Sequence, residues 1–104
     1  MSGSDENAAS GKSAPSEAPR AKIDYPTYYT FKALGLTGGV RGPMLAMLRT
    51  VLGADSVGDE AVTARPSSGG KYESISVSVY LRSEDERRRI YEAFHLEKSF
   101  VWYL

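Results

Sequence analysis

An α+β sandwich is the fold this sequence predicts, and three observations predict it. The stretch Tyr72–Leu81 alternates strictly, with Ile75, Val77, Val79 and Leu81 on one side and Ser74, Ser76, Ser78 and Tyr80 on the other. Such period-two spacing is what a half-buried antiparallel strand requires, because successive side chains point to opposite faces. Two segments carry apolar residues at helical spacing instead, one before and one after that strand. Each helical segment is flanked by β-branched and aromatic runs, so the order reads strand, helix, strand, strand, helix, strand. With right-handed crossovers this is the ferredoxin-like βαββαβ sandwich, a four-stranded antiparallel sheet with two helices on one face. The Tyr72–Leu81 strand then occupies a central position, as its apolar side demands.

The chain has 104 residues, so it is at most one small domain. Residues 1–22 (MSGSDENAASGKSAPSEAPRAK) contain no aromatic or β-branched residue. They cannot bury enough apolar surface to offset their ordering entropy and read as a disordered N-terminal tail. Residues 23–104 form the domain. Its first strand runs through Thr27–Leu34, with Tyr29, Phe31 and Ala33 sharing one face and Tyr28, Thr30 and Lys32 the other. Gly35-Leu36-Thr37-Gly38-Gly39 breaks it.

Pro43 suits a first helical turn, and Met44, Met47, Leu48, Val51 and Leu52 follow as an apolar stripe that Gly53 ends. Glu60–Arg65 is a weaker strand, closed by Pro66 and the Ser67-Ser68-Gly69-Gly70 turn. Ser83 and Glu86 have the spacing of a capping box, in which each side chain satisfies a free backbone N–H of the other residue. Ile90, Ala93 and Phe94 form the inner face of that second helix, with Tyr91 at its border. Glu84–Arg88, Asp85–Arg89 and Arg88–Glu92 pair on the outer face, which makes the triple arginine a solvated surface. Lys98–Leu104 is a final strand, with Phe100, Trp102 and Leu104 expected inward and Val101 and Tyr103 outward.

Composition excludes several function classes. Lysine plus arginine equals aspartate plus glutamate at 13 each, so no net field draws the chain to nucleic acid or membrane. There is no cysteine for a thiol nucleophile or thiolate site, and one histidine, His95, cannot build a multi-histidine metal centre. No apolar run reaches membrane-spanning length, and the N-terminus lacks a secretory signal pattern, so the expected location is cytoplasmic. No cofactor or metal is expected. Ser67-Ser68 has no adjoining histidine to activate it. Gly69-Gly70-Lys71 is too short for a phosphate-binding loop. A non-catalytic role follows.

The segment Tyr25-Pro-Thr, the run Tyr-Thr-Phe-Lys-Ala-Leu-Gly after it, and above all Pro66-Ser-Ser-Gly-Gly-Lys-Tyr-Glu-Ser74 resemble the YbeD-like family of small bacterial proteins of unknown function. The resemblance covers Asp24–Leu104. It implies the same ferredoxin-like fold, similar to the ACT regulatory domains of amino-acid metabolism, and no established catalytic residues.

Two surfaces are candidates for function. ACT-like domains often bind a small effector where the first strand meets the first helix. Here Gly38 and Gly39 could present amides to an amino acid or carboxylate, with Arg41 adding charge. The stretch has no acidic residue to hold an amino group, which departs from that pattern, and glycines also serve simply to turn a tight corner. The second candidate is the uncovered sheet face. Strand parity places Tyr28, Thr30, Lys32, Ser74, Ser76, Ser78 and Tyr80 there, with either Thr63 or Arg65, and with Tyr72 and Tyr103 at the margins. The Ser67, Ser68 and Lys71 turn lies at its edge. Tyrosine and serine give rigid contact area and adaptable hydrogen bonds, suited to docking a protein or a second copy in a monomer or weak dimer, though they also suit a solvated sheet. The same fold reads single-stranded RNA through aromatics on this face, but a neutral chain without the Arg/Lys-Gly-Phe-x-Phe signature argues against it.

Overall fold

The computed structural model describes residues 23–104; the expected N-terminal tail, 1–22, lies outside the described residues. The observed order is β1 (Thr27–Leu36), α1 (Arg41–Leu52), a short 3-10 turn (Asp59–Ala61), β2 (Val62–Pro66), β3 (Tyr72–Leu81), α2 (Glu84–Leu96) and β4 (Trp102–Tyr103). The sheet order is β2-β3-β1-β4, and every neighbouring pair is antiparallel. This is the ferredoxin-like arrangement, with β1 and β3 in the centre.

The β1–β3 register runs from Thr27 opposite Leu81 to Leu36 opposite Tyr72. It brings Phe31 against Val77 and Ala33 against Ile75, so the two apolar sides coincide. These residues, with Met44, Leu48, Ile90 and Phe94 from the helices, make one core. Phe94 stands edge-on to Phe31 at 5.6 Å and to Phe100 at 5.2 Å between ring centroids. Such tilted contacts place the positive edge of one ring on the negative face of the next.

The two helices start differently. In α2, Ser83 accepts from the Glu86 N–H at 3.2 Å, as the box predicts. Glu86 does not return the bond to Ser83. Its carboxylate instead accepts from the Arg82 N–H at 2.8 Å and from the Arg82 guanidinium, one residue earlier. Glu84 likewise pairs with Arg87 at 3.1 Å rather than with Arg88. Asp85–Arg89 at 3.7 Å and Arg88–Glu92 at 3.3 Å are present as expected. In α1 no side chain caps the first turn, and the cap residue Val40 is itself fully buried. The α1 stripe is rotated relative to expectation: Leu45 is buried while Met47 and Val51 are only partly covered.

The final strand departs most from the sequence reading. Residues 98–101 are turn and bend, so the strand is confined to Trp102–Tyr103. Phe100 is buried as expected, but a bend follows at Val101, whose N–H bonds to Leu34 O at 2.7 Å, and that bend resets the parity. Tyr103 therefore points into the core, and Trp102 and Leu104 lie on the opposite side, the reverse of the expected placement. The second strand also begins later than Glu60, because Asp59–Ala61 close a 3-10 turn first.

Candidate functional site

At the strand–helix junction Gly38 adopts a φ of 88°, the left-handed region where glycine avoids a Cβ penalty. Its N–H donates to Glu73 Oε2 at 2.9 Å, and the Gly39 N–H donates to Leu36 O at 2.9 Å. Thr37 donates from its N–H to Lys71 O at 3.0 Å and from its hydroxyl to Gly70 O at 2.7 Å. Arg41 pairs with Asp59 at 3.1 Å. The three residues singled out for a ligand are thus brought together, but their polar groups are engaged within the chain. The carboxylate absent from the local sequence arrives from β3 as Glu73. The junction is stitched to the β2–β3 turn.

The second candidate is the sheet face away from the helices. Tyr28 lies opposite Tyr80, with ring centroids 5.1 Å apart and planes tilted by 58°. The next row is Thr30 with Ser78, and the next is Lys32 with Ser76 and Thr63. Leu34 then sits between Trp102 and Ser74, with Arg65 beyond, and Leu36 lies opposite Tyr72. Thr63 and Arg65 are two residues apart on one strand, so both belong to this face. Leu104 exchanges backbone hydrogen bonds with Lys32 and completes the edge. Lys71 Nζ lies 5.6 Å from the Tyr72 ring centroid, while Ser67 turns inward to accept from the Tyr72 N–H at 3.2 Å. Ser68 is exposed on the turn.

Strand parity therefore places the sequence-predicted residues of this face together, apart from Tyr103, which is in the core. It missed four apolar members: Leu34, Leu36, Trp102 and Leu104. Leu34 and Leu36 continue the even-numbered series Tyr28, Thr30, Lys32: Leu34 already lay within the expected strand, and extending that strand past Gly35 would have revealed Leu36. Tyr28 is 73% exposed and Leu36 54%.

A third feature was not foreseen. A groove of 540 Å³ lies between α2 and β4, lined by Arg88, Tyr91, Glu92, His95, Leu96 and Tyr103. His95 Nδ1 lies 3.2 Å from the Tyr103 hydroxyl, and the Tyr91 hydroxyl meets that of Tyr29 at 2.9 Å. Burial, then the Tyr29 hydroxyl, push the Tyr91 phenol well above the ordinary range, so it stays protonated and un-nucleophilic. Histidine and phenol here are neighbours in an open groove, with an ion-paired rim of Arg88 and Glu92.

A match to the family described as "Protein of unknown function (DUF493)" spans residues 20–104. The chain belongs to that family. The YbeD-like resemblance carried by the Pro66–Ser74 pattern points to the same proteins. Among DUF493-related sequences, the UPF0250 protein IL0958 of Idiomarina loihiensis is 31% identical over 71 residues, covering 68% of this chain and 77% of that protein. The solution structure of HP0495 from H. pylori is similar, with a TM-score of 0.61 at 20% identity, over 88% of this chain and 96% of that one. At that identity the likeness speaks for the α+β fold. Among the described residues no helix is long and apolar enough to cross a membrane.

Proposed function

We propose that the chain is a non-catalytic regulatory or adaptor domain that acts by docking another protein on its open sheet face. The observation that carries this reading is the exposed set of Tyr28, Tyr80, Leu36 and Leu104, held beside Trp102 on a four-stranded sheet. Interfaces draw their energy from aromatic anchors of this kind, surrounded by groups that adapt their hydrogen bonds. Among the described residues these side chains already face outward. The test is an alanine series at Tyr28, Tyr72 and Tyr80, each variant checked for folding. Recovery of a bound protein, or self-association, should weaken with each substitution. Unchanged recovery and unchanged association across the series would remove the docking reading.

A second reading, ACT-like sensing of an amino acid or carboxylate at Gly38, Gly39 and Arg41, is supported by one observation. Glu73 supplies the acidic group that the local sequence lacks, next to a backbone amide. A ligand there must displace the Gly38–Glu73 hydrogen bond, which sets this reading behind docking. A thermal-shift screen of amino acids and small carboxylates tests it, because a ligand of the native state raises apparent stability by mass action. Chemical-shift changes confined to Gly38, Gly39 and Arg41 would favour it; changes across Thr30, Ser76 and Tyr80 with a protein would favour docking.

A further inference from the structure

We infer, resting on the docking reading above, that the occupant of the open sheet face is an acidic protein segment with apolar side chains, and not a second copy of this chain. Charge in this fold is segregated by face. On the helix side acids and bases neutralise one another: Asp85 and Glu92 hold Arg88, Glu84 holds Arg87, and Glu86 holds Arg82. Glu73, the one acid within β3, is turned to the Gly38 amide. Across the open face, no side chain in the strand register is a carboxylate. Lys32, Arg65 and Lys71 remain, and among the described residues none of them has an ion-pair partner.

A face that is basic in this way selects its partner by charge complementarity, mainly through encounter rate and rejection of like charge. Two copies meeting face to face would oppose basic side chains to basic side chains, with no acidic side chain of the face between them. A nucleic acid would meet the cations but gain little from Leu34, Leu36 and Leu104, and the chain as a whole is neutral. A segment carrying Asp or Glu together with leucine or aromatic side chains satisfies both halves: carboxylates at Lys32 and Arg65, apolar side chains over Trp102 and Leu36.

The experiment places a benzophenone amino acid at Thr30, and separately at Ser78, in the full chain. Irradiation in native cells is followed by mass spectrometry of the cross-linked peptide. The cross-linked segment should carry net negative charge. As a synthetic peptide it should lose about tenfold or more in affinity to the Lys32→Glu/Arg65→Glu variant. Its binding should also weaken when salt rises from about 50 mM to about 500 mM. A neutral or basic segment, a second copy of this chain, or RNA at those positions would overturn the acidic-partner inference; a protein of any other charge would leave docking standing. Absence of any protein cross-link from both positions would overturn docking itself, and the inference with it.

Discussion

Gly35→Ala isolates the contact that closes the sheet. Gly35 lies within β1, on the side of Phe31 and Ala33, where the residue 98–101 turn crosses over it. A Cβ built there would lie 2.8 Å from Val40 Cγ2 and closer still to the Ser99 carbonyl oxygen. Ordinary carbon contacts begin near ~3.5 Å, so both neighbours must retreat by more than half an ångström. Val40 is fully buried, and Ser99 offers backbone rather than a flexible side chain end. Neither can yield cheaply. Overpacking of this kind costs about 1–3 kcal/mol, and a clash with backbone belongs at the upper end. At roughly 4–8 °C per kcal/mol for a domain of this size, the melting temperature should fall by about 12–24 °C.

The control is Gly42→Ala in α1, where an added Cβ meets nothing within 4 Å and the backbone is helical. That variant should be neutral or more stable by up to about 1 kcal/mol, since alanine is the better helix former. Thermal unfolding by circular dichroism measures both. The chain has one tryptophan, Trp102, three residues beyond Ser99, so its emission should also shift in Gly35→Ala and not in Gly42→Ala. Stability of Gly35→Ala within about 0.5 kcal/mol of wild type would refute the argument that this crossing fixes β4.

Ser83→Ala should cost about 1 kcal/mol by urea unfolding, the usual worth of an N-cap hydrogen bond. Glu86→Gln should cost about 1–2 kcal/mol near neutral pH, because a charge-assisted bond to Arg82 is replaced by a neutral one. Burial pushes the Glu86 carboxyl up, but the Arg82 guanidinium and N–H outweigh it and hold it below the usual range. The stability it contributes is present above the unfolded value of about 4.3 and lost as pH falls through the lower folded value, so the wild-type advantage should vanish in acid. Tyr91→Phe loses the hydrogen bond to Tyr29 and should cost about 1 kcal/mol at pH 7. The raised Tyr91 phenol contributes stability below the unfolded value of about 10 that is lost as pH climbs, so the deficit of Tyr91→Phe should shrink in alkali. Tyr25, pushed up to about 12 by burial and then by its hydrogen bond to Glu84, adds a second alkaline loss in the same direction. Unfolding midpoints followed from pH 7 to about pH 12 read out both.

What could be seen in the sequence followed from local rules that tertiary structure did not override. The alternation of Tyr72–Leu81 fixed the faces of β3, and through pairing those of β1. Ser83 marked the start of α2 without reference to anything distant. The misplacements share a cause, which is that a period continues only while the backbone conformation does. Between Phe100 and Trp102 the chain turns, so counting by twos across it inverted Trp102, Tyr103 and Leu104. Beyond Leu34, glycine suggested a break, yet the strand continues because Gly35 is small enough to pass beneath Ser99. Both errors concealed apolar residues of the open face. The engagement of Gly38 by Glu73 was invisible for another reason: the two residues lie 35 positions apart, and only the folded register joins them.

Those hidden residues bear on what the open face is for. The register leaves no freedom to move them, since slipping β1 by one residue would carry Phe31 and Ala33 out of the core. They are on that face because the core holds them there. Sheet formation itself does not call for leucine: threonine serves as well at a half-exposed strand position, as Thr30 and Thr63 show in neighbouring rows. Leu36 and Leu104 bury no side chain in the core, and with Tyr28, Tyr80 and Trp102 they expose apolar surface on the side of the sheet that faces its own edges and water. A protein pays for such surface in solubility and in unwanted association. The Tyr28–Tyr80 ring pair supports the sheet from this side, whereas Leu36 and Leu104 add little that a polar strand residue would not supply; under the docking proposal it is the partner that covers them.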